Sequence, residues 1–195
     1  MERRAFIQRS VLGAAAMAAG LHRRPAIAGE TPATAPAAAL GGFRAAPAPD
    51  NTRGAPGLLM HFLARSADTG GGFALLEARG RPGMEPQRHL HRREDESVYL
   101  LEGSMHFEVG GEEFELEGGD MIFMPRDVPH GFKVLSDEIH ALLLLTPGGL
   151  DDYFWQVSAP VENPTEIPAP ATEPPPPEVL QKMMELLADF GVERA

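Results

Sequence analysis

The stretch that decides the fold is Gly83-x5-His89-x-His91-x4-Glu96-x6-Gly103, followed by Gly119-x5-Pro125-x-Asp127-x2-His130. His89 and His91 are two residues apart, so on an extended strand both imidazoles leave the same face and can grip one ion. Arg92-Arg93-Glu94-Asp95 is a polar turn that lets Glu96 return a carboxylate to that ion from the start of the next strand. His130, 34 residues after Glu96, supplies a long-range ligand. Three imidazoles and one carboxylate suit a divalent transition metal, Fe, Mn, Ni, Co, Cu or Zn, and four ligands in octahedral geometry leave two positions open. Spacing does not choose among these ions.

Working outward, short apolar runs punctuated by Gly and Pro extend from Leu58 to about Pro147: residues 58–65, 72–78, 97–101, 105–109, 114–116, 121–124, 131–135 and 139–146. They predict a small antiparallel barrel or sandwich. Val109-Gly110-Gly111-Glu112 is the clearest hairpin, because paired glycines allow the positive φ of a tight turn. Met121-Ile122-Phe123-Met124 does not alternate in polarity, which predicts burial on both faces. Leu150 to Val157 reads as a short helix whose Asp151 and Asp152 complement the dipole, completing a barrel unit over 58–158. Residues 159–177 form a proline-rich connector, and 178–191 an amphipathic helix with Val179, Met183, Leu186, Leu187 and Phe190 on one stripe and Gly191 as its stop. That stripe is expected to dock on the chain's own barrel. No repeat is visible, which argues for a single barrel.

The 195 residues leave room for one domain plus tails. A net charge of -11 repels phosphates and anionic lipid, so nucleic acid is not an expected partner. Without Cys there is no disulfide, thiolate metal site or cysteine nucleophile. The N-terminus has Arg3-Arg4 followed by Phe6-Ile7, a weakly apolar run from Val11 to Leu21, and Ala26-x-Ala28 as a small-residue cleavage site. The run is about half of the ~20 residues that span a bilayer, so residues 1–28 read as a removable signal and not a stable membrane anchor. They resemble the twin-arginine signal family, which implies the twin-arginine export machinery as a partner and a periplasmic or secreted protein cleaved near Ala28. Residues 29–57, rich in Ala and Pro, are expected to be a flexible leader with little structure.

The two histidine-bearing segments resemble the cupin family. The first motif is complete in Gly83, His89, His91, Glu96 and Gly103. The second keeps Gly119, Pro125 and His130, with Asp127 where the family usually has Gly and Val134 where it often has Asn. The resemblance implies an all-β fold, a small antiparallel cupin β-barrel of the jelly-roll-like, double-stranded β-helix type with short C-terminal helices. It also implies a metal held by His89, His91, Glu96 and His130. His61, His106 and His140 lie outside the motif and read as ordinary core or surface histidines. Arg88, Arg92, Arg93 and Arg126 flank the ligands, as solvated loop charges or as guides for an anionic substrate. Phe107, Phe123 and Phe132 are expected to line the barrel interior, either filling the core or clasping an aromatic substrate.

The single barrel, its Thr146-Pro147-Gly148-Gly149 exit, the aromatic helix and the terminal helix together resemble the single-cupin quercetin 2,3-dioxygenase-like subgroup. That resemblance implies a flavonol or related phenolic substrate and O2, with Glu96 as ligand and general base. Two alternatives stay open: a non-catalytic small-molecule-binding barrel, and a decarboxylase or isomerase acting on small acids or sugars. A homodimer is expected, because pairing covers barrel edges.

Overall fold

The computed structural model describes residues 40–195. The proposed signal and the first part of the leader lie outside the described residues. Twelve strands and two α-helices follow in chain order: β1 Thr52–Ala55, β2 Leu58–Ala64, β3 Ala74–Gly80, β4 His89–His91, β5 Asp95–Glu102, β6 Ser104–Val109, β7 Glu112–Glu117, β8 Met121–Met124, β9 His130–Val134, β10 Ile139–Thr146, α1 Asp151–Val157, β11 Ala159–Pro160, α2 Pro177–Asp189 and β12 Val192–Arg194. They form a seven-stranded sheet of order β11-β1-β2-β3-β10-β5-β8 and a five-stranded sheet of order β12-β4-β9-β6-β7. The strand pairs are antiparallel, which is the all-β barrel architecture expected from the sequence.

The core lies between the two sheets. Val98, Leu100, Ile122, Met124, Ile139 and Ala141 from the large sheet meet Met105, Phe107, Leu116 and Val134 from the small one. A second cluster, with Met60, Phe62, Leu76, Leu145, Leu150 and Tyr153, is closed by Val192 and by Leu186, Leu187 and Phe190 of the terminal helix. The aromatic helix α1 is fastened by Trp155, whose ring meets Phe62 edge-on at 5.0 Å and carries the Arg53 and Arg65 guanidinium groups at 4.5 and 4.2 Å. The β6–β7 hairpin turns at Gly110 and Gly111, φ 61 and 91, as the paired glycines predict. Gly103 links β5 to β6 at φ 92, and a Cβ there would stand 2.5 Å from the Glu138 carbonyl oxygen, so only glycine fits.

Several expectations need correction. The leader is structured from its last third: Pro49–Asn51 makes a 3-10 turn and β1 joins the large sheet, because Thr52 is buried with its hydroxyl between the Ala48 carbonyl and His61. The connector likewise contributes β11, paired with β1. Met121–Met124 is not buried on both faces; β8 is an edge strand on which Ile122 and Met124 point inward and Met121 and Phe123 outward. Gly191 ends the helix at φ 81, as expected, and the chain then adds a strand, β12, that the sequence reading did not anticipate. Among the described residues no helix is long and apolar enough to cross a membrane.

Candidate metal centre

Strands of both sheets build the site. β4 carries His89 and His91 on one face, β9 begins with His130 directly opposite His89, and β5 brings Glu96 from the other sheet. β4 has only three residues, and its position is set from both sides: β9 on one edge, and on the other β12, with Val192 opposite His91 and Arg194 opposite His89. Asp127, in the loop before β9, donates its backbone N–H to the His91 carbonyl at 2.7 Å. It has φ 63, the left-handed conformation that Gly favours and Asp tolerates, so its replacement of the family's usual Gly preserves the loop. Val134 faces the core, and its backbone N–H donates to the Glu85 carboxylate at 3.0 Å.

The four side chains converge. One donor atom from each of His89, His91, Glu96 and His130 lies within 4.8 Å of the others. An ion held about 2.0–2.2 Å from each nitrogen and oxygen needs such a set. The imidazole centroids are 4.6 to 5.1 Å apart. His91 and His130 Nε2 stand 3.2 and 3.7 Å from the same Glu96 oxygen, and both nitrogens are buried without an aligned hydrogen bond. Buried polar atoms seldom go unpaired, and orphaned lone-pair nitrogens aimed at a common point are what an ion would satisfy. His89 Nδ1 donates to the Gln87 carbonyl at 2.8 Å and His130 Nδ1 to the Val128 carbonyl at 3.0 Å, the tautomers that leave Nε2 free to ligate. The residues therefore fit a divalent transition metal.

Electrostatics prepares the same state. Burial, opposed by Glu96 and reinforced by His89 and His130, pushes His91 down to about 4. Burial likewise lowers His89, with the Gln87 carbonyl opposing and His130 adding to the shift. Burial pushes the Glu96 carboxyl up, but the three surrounding histidines, His130 first, outweigh it and hold it below the usual range. At neutral pH His89 and His91 are thus neutral imidazoles and Glu96 a carboxylate, the forms that bind metals. His91 and His130 are buried, and His89 is the partly exposed histidine of the set.

The flanking residues sort differently. Arg88 pairs with Glu108 at 3.0 Å, Arg126 with Asp95 at 2.7 Å, and Arg92 with both Asp127 and Glu193. Their charges are spent on structural carboxylates, which disfavours anion steering. Phe107 is fully buried and packs on partly buried Phe132 at 5.6 Å, inside the barrel. Phe123 is 52% exposed on the outer face opposite Ser97 and does not line the barrel interior as expected, because the strand's alternation turns it away from that side. His61 is buried against Thr52 and His140 bonds Glu77, both on the outer side of the large sheet and away from the centre. Glu94 is a residue of the site that the sequence reading passed over: it is 3% exposed, its Oε2 has no hydrogen-bond partner, and burial raises its carboxyl above the usual range against the nearby Arg93 and Arg126. Its sequence, inside a run of four charged residues, carries no sign of this.

Fold and site together define a two-sheet barrel with, among the described residues, one four-residue cluster that could hold a metal ion. Residues 78–147 match the cupin domain family. The matched segment, about a third of the chain, carries all four candidate ligands, and it is this segment that resembles the cupin superfamily. Over 105 residues, 54% of this chain and 31% of the relative, it is 28% identical to the quercetin 2,3-dioxygenase of Bacillus subtilis (strain 168). Over 58 residues, 30% of this chain and 38% of the relative, it is 34% identical to the polyketide synthase CurC of Streptomyces cyaneus. The chain thus spans about a third of the length of these two relatives. Among solved structures, an RmlC-like cupin from Shewanella frigidimarina NCIMB 400 is similar at 24% identity and a TM-score of 0.45, with 53% of this chain and 90% of that one covered.

Proposed function

We propose that the protein is an exported, metal-dependent dioxygenase that cleaves a flavonol or a related phenolic substrate with O2. The observation that carries this reading is Glu96, a buried carboxylate kept ionised between two imidazoles at the edge of the metal centre. Similarity to the Bacillus subtilis quercetin 2,3-dioxygenase supports the substrate class.

His89, His91, Glu96 and His130 would hold the ion. A divalent transition metal bound there supplies Lewis acidity toward a phenolic hydroxyl and, in its redox-active forms, electron exchange with dioxygen. Glu96 takes the hydroxyl proton at its carboxylate oxygen, which its lowered basicity suits to an acidified phenol. His89 and His130 keep their Nδ1 protons on backbone carbonyls and present Nε2 to the ion, and a ring ligated through Nε2 would have no free lone pair to take that proton. A substrate would reach the ion from the side of His89, the partly exposed histidine, while Phe107 and Phe132 belong to the apolar packing of the barrel interior.

The test is oxygen uptake by metal-loaded protein with a panel of flavonols and catechols. Turnover that falls at least about 100-fold in Glu96→Gln supports the reading. No uptake with any member, or wild-type activity in Glu96→Gln, overturns it; binding without product would point to a non-catalytic barrel. Export through the twin-arginine route and cleavage near Ala28 belong to the same proposal, tested by the mass and compartment of the product with and without Arg3-Arg4→Lys-Lys. A homodimer is also proposed, covering the β8 edge and the exposed Tyr99, Met121 and Phe123 beside it, and sedimentation of the purified protein decides it.

A further inference from the structure

Two of the three histidines in the centre have an acceptor for the ring nitrogen that faces away from it, the Gln87 and Val128 carbonyls. His91 has none. Its Nδ1 is buried and without a hydrogen bond, and a carboxylate oxygen in the same condition, Glu94 Oε2, faces it at 3.9 Å. Both side chains are nearly sealed from solvent, 2% and 3% exposed. A buried donor and a buried acceptor, each without another partner, are complementary, and a carboxylate shift of about 1 Å brings them to hydrogen-bond distance.

We propose that Glu94 is the positioning carboxylate of His91, accepting its Nδ1–H and so holding the tautomer and ring orientation that present Nε2 to the metal. This rests on the metal-centre reading above. The packing around Glu94 serves that role. Gly149, between β10 and α1, approaches so closely that a Cβ would stand 3.3 Å from Glu94 Oε1, and its lack of a side chain leaves the carboxylate its place. Glu94 also lies in the turn between β4 and β5, so one short segment carries His91, its partner and Glu96. A carboxylate on the far nitrogen fixes an imidazole ligand and raises its basicity; loss of such a partner typically weakens metal affinity about 10- to 100-fold.

The experiment compares the full chain, stripped with a chelator, with Glu94→Gln, Glu94→Leu and His130→Ala. Co2+ affinity is measured by competition with a chromophoric chelator, the Co2+ visible spectrum is recorded, and the Tm of each metal-free form is taken. Glu94→Gln, which keeps an acceptor but loses the charge, is expected to bind Co2+ about 10-fold more weakly, and Glu94→Leu about 100-fold, with an altered spectrum. The metal-free Tm of Glu94→Leu should fall slightly, because the buried His91 Nδ1–H loses its acceptor, whereas Glu94→Gln, which keeps one, should hold it. Nitrogen-15 spectra of Zn2+-loaded protein should show the His91 Nδ1 proton protected from exchange in the wild type and broadened in Glu94→Leu. Affinity and spectrum unchanged in both Glu94 variants, with His130→Ala unable to bind, overturn the role of Glu94 alone. A wild type that takes up no Co2+ overturns the metal centre and this role together. Should Glu94→Leu fail to fold, Glu94→Gln decides by the same criteria.

Discussion

Arg92 and Glu193, 101 residues apart in sequence, form a two-pronged ion pair, with Nε to Oε1 at 2.9 Å and Nη2 to Oε2 at 2.7 Å. The third arm of the guanidinium holds Asp127 at 2.8 Å. One side chain therefore ties the strand bearing His89 and His91, the loop before His130 and the C-terminal strand. Both members are solvent-exposed, so the value of the pair lies in registration more than in stability. Reversing the charge with Glu193→Lys should speed metal dissociation about twofold to fivefold, the scale of an exposed charge pair, while the Tm barely moves. Stopped-flow chelator capture of the loaded protein measures this; an unchanged rate would mean that β12 is held by backbone pairing alone.

Metal and fold are linked through the same residues. An ion that binds the folded chain and not the unfolded one stabilises it by about 2.7 kcal/mol at a free concentration 100 times its Kd. Thermal melts with and without added Co2+ should show that rise in the wild type. They should show none in His130→Ala, which loses the ligand that β9 contributes.

The aromatic residues separate by face. Phe107→Ala empties a fully buried site and should cost about 3–5 kcal/mol in urea melts. Phe123→Ser, on the outer face, should change monomer stability by about 0.5 kcal/mol or less and leave catalysis intact. A large loss of activity in Phe123→Ser would place it at the substrate after all.

Acid sensitivity follows from His61. Burial lowers its pKa from 6.5, Glu77 opposes the shift, and Arg79 and His140 add to it. A proton then prefers the unfolded chain, so the contribution of neutral His61 is complete above pH 6.5 and is lost as pH falls below that value toward the lowered folded pKa. His61→Asn, whose amide can keep the bond to Thr52, should flatten the decline of Tm on this side of pH 6.5 relative to wild type. Parallel curves for the two proteins would refute it.

Which of these features were legible beforehand follows from how local their causes are. The central strands of the barrel and the candidate ligand quartet were readable because period-two spacing and turn glycines act over a few residues: His89-x-His91 shares a face on any strand, and Gly110-Gly111 turns wherever it stands. Phe123 misled because β8 is four apolar residues long, and its outward half is exposed only because the strand lies at a sheet edge. Glu94 reads as a surface charge in Arg92-Arg93-Glu94-Asp95 until the sheets close around it.

Residue type and short-range geometry were enough to give the all-β class, to single out His89, His91, Glu96 and His130 as candidate ligands, and to exclude cysteine ligands within these 195 residues. It takes the packed fold to show that β12 flanks β4, that Asp127 adopts the left-handed turn while bonded to His91 and Arg92, and that Glu94 is sealed beside His91. Those relationships depend on register and burial between segments far apart in the chain, where a side chain's energy is set by what packs against it and not by its neighbours in sequence.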